Sequence, residues 1–171
     1  MGRLNSGVRH GEKILASIVD PKGEWAAAIG AMFVAFGSIE HFTVICLKEI
    51  PKKTAQPLAK SLKLTQRIDL LLKLLKPYPH SECLVLSDML EQIKILARTR
   101  NLIAHNPLIF QMHDDGNGNL ISGAAITAMF KEEVMSLPEA KEFAAASEKM
   151  AFEFPGACIS AFRAMGLITH A

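Results

Sequence analysis

One segment, residues 82–105, constrains the fold of this chain most, because its apolar side chains recur with the period of an α-helix packed against a core. At 100° per residue, one face of that helix collects Leu86, Met89, Ile93, Leu96, Ala97, Ile103 and Ala104. Arg100 falls at the centre of the same face. A charge is almost never fully buried without a partner. Either a carboxylate or a second subunit therefore neutralises Arg100, or the face lines a wet cleft, and each alternative points to a site.

The end of this helix is set by Pro107, which disfavours the helical conformation at Asn106 and places His105 near the last turn. Five residues rotate by about 500°, so Arg100 and His105 lie about 140° apart on a regular helix. Two routes bring them together: a second copy of the chain that places its His105 near Arg100, or fraying at the proline. Asn101 lies four residues before His105 and faces the same way.

The run Arg100-Asn101-Leu102-Ile103-Ala104-His105 resembles the Arg-x4-His motif of the HEPN domain family. Looser similarity extends from about Trp25 to about Met165, and Asn106 stands where many relatives have glycine. The resemblance implies a symmetric homodimer in which two motifs frame one cleft. It also implies RNA cleavage that leaves a 2′,3′-cyclic phosphate and a 5′-hydroxyl, and an antitoxin partner that is frequently of nucleotidyltransferase type.

The motif residues suit this chemistry, because the ribose 2′-hydroxyl of RNA is itself the nucleophile and no metal is required. The enzyme supplies a group that moves a proton and a group that stabilises charge on phosphorus. We assign the proton to His105, the charge to Arg100, and the orientation of the imidazole or the phosphate to Asn101. The leading interpretation is a metal-independent endoribonuclease of the toxin or defence type. The alternative is a non-catalytic HEPN-like dimeric module that binds a nucleotide, RNA or a partner protein.

Glu40 is a second charged residue within an apolar helical row, which consists of Ile29, Met32, Phe33, Phe36, Glu40, Thr43 and Leu47. A buried ion pair between Glu40 and Arg100 is neutral to stability overall, yet costly to break from one side. Such a pair is expected to hold the guanidinium in place. Glu40 is therefore predicted to support the site.

A polar row on the motif helix consists of Lys94, Arg98, Asn101 and His105, spaced four, three and four residues apart. Two interpretations stay open for its cations. They are either an ordinary solvated face, favourable near the end of a helix, or contacts to RNA phosphates. Because the row ends at the motif histidine, Lys94 and Arg98 are predicted to bind RNA.

The pattern of elements predicts an all-α fold in a single domain over residues 1–171, with its core over about 24–165. We expect an up-and-down bundle of four to five helices, with a small β-hairpin between the motif helix and the final helix. Asp20 and Ser81 are predicted N-caps, Pro21 is predicted at a first helical position, and Ser136 is predicted to form a capping box. The predicted helices cover 7–19, about 21–50, 56–76, 82–105 and 137–165, the last interrupted at Pro155; the predicted strands cover 108–112 and 120–125.

Composition and spacing exclude several other classes of function. The net charge of +2 is too mild to require a nucleic acid, although it is compatible with a locally basic groove. The histidines lack the spacing of metal ligands, and no glycine-rich phosphate loop or nucleophile elbow is present, so no metal and no cofactor are predicted. The run 115–119 begins like a calcium loop, but Ile126 stands where a glutamate is needed.

Three separated cysteines, Cys46, Cys83 and Cys158, favour reduced thiols and a cytoplasmic location. Residues 1–20 lack the continuous apolar region of a secretory signal. The segment Trp25–Leu47 is long enough to cross a bilayer, but a carboxylate next to an imidazole within it is costly in lipid. We therefore expect a central core helix and no membrane association.

Overall fold

The computed structural model describes residues 20–49, 61–114, 117, 120–127 and 134–168, and within them the fold is mostly helical with a small antiparallel sheet. This confirms the broad prediction of an all-α protein with a small hairpin. In chain order the elements are α1 (Glu24–Glu49), α2 (Leu64–Leu75), α3 (Ser81–His105), β1 (Leu108–Asp114), β2 (Leu120–Thr127), β3 (Val134–Met135) and α4 (Leu137–Ala164). The predicted helix over 7–19 lies outside the described residues.

The start of α1 is fixed by Asp20, whose carboxylate accepts hydrogen bonds from the backbone N–H of Trp25 at 3.1 Å and of Ala26 at 2.9 Å. These bonds satisfy two N–H groups of the first turn, so the predicted capping role of Asp20 is confirmed. The prediction for Pro21 is wrong. It lies in the turn before α1, where Gly23 takes a positive φ of 68° and the helix starts only at Glu24.

Two other helix starts also differ from prediction. Helix α2 begins at Leu64, not at 56, because the backbone N–H of Lys63 bonds to the Gln66 side chain at 3.0 Å and fixes the start there. Residues 56–60 lie outside the described part of the chain. Helix α3 begins at Ser81 with His80 as its N-cap, whereas the Ser81 hydroxyl donates to the neighbouring Glu82 carboxylate at 2.9 Å. The predicted N-cap at Ser81 is therefore wrong by one residue.

The motif helix ends where the proline argument places it, at His105. Asn106 has extended backbone angles, and its side-chain amide donates to the carbonyl of Leu102 at 2.7 Å. Strand β1 follows directly and pairs with β2, with Leu108 opposite Ile126. A third strand, β3, pairs with the end of β2 and was not predicted, because two residues are too short to show an alternating pattern.

Helix α4 begins at the predicted capping box. The backbone N–H of Ser136 donates to the Glu139 carboxylate at 2.7 Å, and the Ser136 hydroxyl accepts from the backbone N–H of Glu139 at 3.5 Å. The predicted interruption at Pro155 is wrong, because α4 continues through it to Ala164. Proline removes one hydrogen bond, but α4 is anchored in the core on both sides of that position, by Met150 and Phe154 before it and by Cys158 and Ala161 after it.

The four helices contact one another in a ring: α1 packs on α2 and α4, and α3 packs on the same two helices, while α1 and α3 touch little. Their apolar faces form one core cluster. The largest fully buried side chains are Met32, Phe36, Ile39, Leu47, Ile68, Leu71, Leu75, Leu86, Leu90, Ile93, Ile126 and Phe154. The contact of Arg100 with Glu40 therefore joins two helices, α3 and α1, that otherwise touch little.

Helix α1 is the one helix of the described part that is long and apolar enough to cross a membrane by length and composition. One third of its most apolar window is buried inside the protein. The core helix of a soluble protein meets the same criteria, so this finding weighs little in either direction. Its exposed side includes Phe33 and Val34, whose side chains are 44% and 74% accessible.

Candidate functional site

Arg100 is neutralised by a carboxylate of the same chain. Its Nη2 donates to Oε1 of Glu40, which joins α3 to α1 as predicted. The guanidinium carbon also lies 5.4 Å from the centre of the Phe36 ring, within the range of a cation–π contact. The Arg100 side chain is 22% exposed and lines an open pocket, so it is partly buried yet accessible to solvent. Two of the expected alternatives, a carboxylate partner and a cleft open to solvent, therefore both apply to Arg100.

A second arginine shares the same carboxylate, and sequence analysis missed it. Nη2 of Arg67 on α2 lies 3.5 Å from Oε2 of Glu40, and the Arg67 side chain is only 9% exposed. The signal was present in the sequence, because Arg67 lies three residues after Leu64 and four before Leu71, both buried. It is therefore a second cation within an apolar helical row, like Arg100.

These groups line an open, mostly polar pocket of about 400 Å³ where α1, α2 and α3 meet. Its lining residues are Glu40, Leu62, Lys63, Leu64, Thr65, Arg67, Ala97, Arg100 and Asn101. Three of these side chains are cationic and one is anionic, which leaves the lining with two net positive charges. The pocket is therefore suited to an anion.

Both arginines keep an unsatisfied donor beside this pocket. The Nε–H groups of Arg67 and Arg100 are shielded from solvent and have no acceptor among the described residues. A buried donor left unpaired costs about 1–3 kcal/mol, so unpaired donors are rare in native proteins. Here two occur on residues that line one pocket, so each guanidinium has a hydrogen-bond donor that Glu40 does not satisfy.

Asn101 and His105 separate in the structure. The side-chain oxygen of Asn101 accepts a hydrogen bond from Nη1 of Arg100 at 3.1 Å, so the Asn101 side chain helps to position the guanidinium. His105 is the exposed last residue of α3, which is helical throughout, so fraying does not turn its ring towards Arg100. On this regular helix the two side chains leave the axis about 140° apart. Within one chain, Arg100, Asn101 and Glu40 are brought together and His105 is not.

The two predicted RNA-binding cations differ in their surroundings. The Lys94 ammonium lies 2.9 Å from a carboxylate oxygen of Asp69 and 3.4 Å from one of Glu91. The hydrogen bond to Asp69 is the main reason that the pKa of Lys94 is raised. Arg98 is exposed and forms no ion pair with any described residue. Of the two, Arg98 has the charge that is more available to a phosphate.

All three cysteines are free and buried, and two of them meet across the interface of α1 and α4. The sulfur atoms of Cys46 and Cys158 lie 3.0 Å apart. The hydrogen bond to Cys46 and then burial raise the pKa of Cys158 far above that of an ordinary thiol. In the described part of the chain, no group of three or more histidine, cysteine or carboxylate side chains is placed to hold a metal ion.

Comparison of the chain with protein-family models, curated proteins and solved structures finds no match.

Proposed function

We propose that the protein is a metal-independent endoribonuclease of HEPN type, active as a homodimer, that grips an RNA phosphate at Arg100. The observation that carries this proposal is the fixed guanidinium beside a pocket with two net positive charges. Glu40, Phe36 and Asn101 hold Arg100 from three directions. A pre-oriented cation stabilises developing charge on phosphorus without reorganising during the reaction.

In the proposed reaction, the 2′-oxygen forms a bond to phosphorus and the bond from phosphorus to the 5′-oxygen breaks. His105 takes the proton of the 2′-hydroxyl or delivers a proton to the departing 5′-oxygen, and water exchanges the other of these two protons. Arg100 donates to the non-bridging phosphate oxygens with its remaining N–H groups. The products are a 2′,3′-cyclic phosphate and a 5′-hydroxyl, and the atoms balance without a metal or a cofactor.

A second copy of the chain has to supply the imidazole, because one regular helix directs Arg100 and His105 about 140° apart. Exposed apolar side chains support self-association. Val34 on α1 and Phe152 on α4 are 74% and 87% accessible, and burial of such side chains against a second copy is favourable. The ring of helix contacts supports the predicted up-and-down bundle as the frame of each copy.

In this proposal, Phe33, which lies outside the pocket lining on the same face of α1 as Glu40, offers an exposed ring on which a base can stack. It lies seven residues before Glu40 on the same side of α1, two turns away, and is 44% exposed. Aromatic rings beside a positively charged groove are the usual means of holding single-stranded RNA. Phe33 therefore supports RNA rather than a simple anion as the ligand, with Arg98 as a further phosphate contact.

The second candidate function is a non-catalytic HEPN-like module that binds a nucleotide, RNA or a partner protein. The engagement of Arg100 by Glu40 favours it, because a paired guanidinium has fewer donors left for a transition state. A toxin or defence role, a nucleotidyltransferase-type antitoxin and a cytoplasmic location belong to the first proposal and follow from the motif resemblance alone.

An RNA cleavage assay in EDTA separates the two candidates. We expect the purified protein to cut labelled RNA with EDTA present and to leave cyclic phosphate ends. The variant His105→Ala is expected to lose cutting while its oligomeric state is unchanged. His80→Ala is the matched control, because His80 is also exposed and its side chain caps nothing. Full cutting by His105→Ala would reject the assigned role of His105, and no cutting by the wild type would favour the binding module.

A further inference from the structure

We propose that the pocket where α1, α2 and α3 meet binds, at its Lys63 and Arg67 side, a terminal phosphate monoester, either the phosphorylated end of an RNA or that of a free mononucleotide, and that Arg100 at its α3 side stays available to the phosphate of the proposed reaction. The RNA arm of this proposal rests on the proposed function, whereas binding of the phosphate group does not. The proposal depends on the charge of the pocket, on its hydrogen-bond donors and on its size.

The charge of the lining matches a dianion better than a monoanion. Lys63, Arg67 and Arg100 carry three positive charges against the single carboxylate of Glu40, which leaves a balance of two. A phosphate monoester carries about −1.5 to −2 charges at pH 7. An internal phosphodiester of RNA carries one. The pocket is thus neutralised by a chain end and only half neutralised by the chain interior.

The start of α2 adds a directed source of positive potential. It opens on this pocket, with Lys63, Leu64 and Thr65 in the lining. Among the described residues no side chain accepts from its free N–H groups, no acidic residue lies in its first turn, and the Gln66 side chain is engaged by the Lys63 backbone N–H. Free N–H groups and the helix dipole favour an anion there.

An independent observation at the same place is the unsatisfied Arg67. Its side chain is buried to all but 9%, its Nε–H has no acceptor among the described residues, and its contact to Glu40 is long at 3.5 Å. A guanidinium recognises phosphate through two parallel N–H groups. Nε–H and one terminal N–H of Arg67 form such a pair once a small side-chain movement exposes them. The long contact to Glu40 opposes that movement only weakly.

The volume of the pocket suits a phosphate with part of its nucleoside. It encloses about 400 Å³, within the range of small-ligand sites. Leu62, Leu64 and Ala97 provide the apolar part of the lining, and the Thr65 side chain adds a hydroxyl. Glu40 lies on the α1 side, so its repulsion directs a dianion towards the start of α2.

The test is a binding comparison with RNA-like oligonucleotides that the proposed nuclease does not cut. Because 2′-O-methyl octanucleotides lack the attacking hydroxyl, the wild-type protein is usable. Fluorescence anisotropy compares a 5′-phosphorylated, a 3′-phosphorylated and an unphosphorylated oligonucleotide, and calorimetry compares adenosine monophosphate with adenosine. We expect at least one phosphorylated end to bind about tenfold more tightly than the unphosphorylated oligonucleotide, as one extra charge-assisted contact gives. Equal affinities in all these comparisons would overturn the proposal.

Variants of the lining residues test whether the phosphate preference arises in this pocket. Lys63→Gln, at an exposed position, and Arg67→Gln are expected to reduce the phosphate preference to about threefold or less. Lys73→Gln is the matched control, since it removes the same charge from an exposed position at the other end of α2. If Arg67→Gln unfolds, as circular dichroism will show, Lys63→Gln alone decides. A preference that survives Lys63→Gln, or is lost equally in Lys73→Gln, places the binding elsewhere and rejects this pocket.

The oligonucleotide comparison and the mononucleotide comparison together identify the source of the phosphate. Tight binding of adenosine monophosphate indicates a free nucleotide, whereas a preference seen only with the oligonucleotides indicates an RNA end. Failure of this proposal is distinguishable from failure of the proposed function. Cleavage without any phosphate preference rejects the pocket and keeps the nuclease, and a phosphate preference without cleavage rejects the nuclease and keeps the pocket.

Discussion

The substitution Glu40→Gln tests the centre of the site, because one carboxylate serves two arginines from two other helices. Glutamine keeps the shape and one acceptor oxygen but removes the charge. Arg67 and Arg100 then remain together in a partly buried environment without a counter-charge. We expect the variant to fold and to be less stable than the wild type.

The expected loss of stability in Glu40→Gln depends on how far solvent reaches the three charged side chains. Removing one partner of a fully buried ion pair costs about 3–5 kcal/mol, and an exposed pair contributes about 0–1 kcal/mol. The Glu40 side chain is 37% exposed, that of Arg100 22% and that of Arg67 9%. Solvent therefore screens the carboxylate more than the guanidinium groups. The free energy of unfolding is expected to fall by about 2 kcal/mol, a value between those limits. For a chain of this length that corresponds to a melting temperature lower by about 4–8 °C.

Thermal and urea unfolding followed by circular dichroism measure this loss. Glu49→Gln is the control, since it removes a charge from an exposed position on the same helix. A double-mutant cycle with Arg100→Gln isolates the pair, and we expect a coupling energy of about 1 kcal/mol or more. A melting temperature within about 1 °C of the wild type, with no coupling, would refute the reasoning that Glu40 neutralises the buried cations.

Three further predictions concern surface charge, base stacking and the thiols. Arg98→Gln should reduce the slope of log binding constant against log salt concentration for RNA by about one unit. Lys94→Gln should reduce that slope less, because two carboxylates already neutralise Lys94. Equal slopes for the two variants contradict this difference. Phe33→Ala should weaken binding of single-stranded RNA about tenfold, and Phe110→Ala, at a phenylalanine of nearly equal exposure on β1, should not; equal weakening by the two variants contradicts the stacking role. Because its hydrogen bond to Cys46 and burial raise the pKa of Cys158, iodoacetamide should label it at pH 8.5 only after unfolding. Stability should also fall as the pH rises above the ordinary thiol pKa, since the unfolded chain then releases a proton that the folded chain retains; rapid native labelling contradicts both statements.

Periodicity and cap chemistry predicted most of the helical part of the fold. The motif helix was predicted to within one residue at each end, because an apolar period and a terminal proline act locally. The capping box at Ser136 was predicted for the same reason. Strand β3 was not predicted, because two residues are too short to show an alternating pattern. The unbroken path of α4 through Pro155 was not predicted either, since it depends on packing against distant parts of the chain.

The sequence predicted one part of the site, the contact between Glu40 and Arg100, but neither Arg67 nor the pocket. Two charges in apolar rows predicted that Glu40 and Arg100 meet, and the structure confirms the pair. Arg67 shows the same signal in a shorter row, but the row does not show which carboxylate lies opposite. The pocket itself arises from the relative placement of three helices, which no single periodicity contains. Likewise, 112 residues separate Cys46 from Cys158, whose sulfur atoms nevertheless touch.

The junction between α3 and the sheet has a mechanical consequence. Only Asn106 and Pro107 separate His105 from β1, and both are restrained, one by its side-chain bond to Leu102 and the other by its ring. The carbonyl of Pro107 also accepts a hydrogen bond from Thr127 at the end of β2. The start of the hairpin is therefore tied closely to the end of α3, and any displacement of that end of β1 acts first on the last turn of the helix, which contains His105.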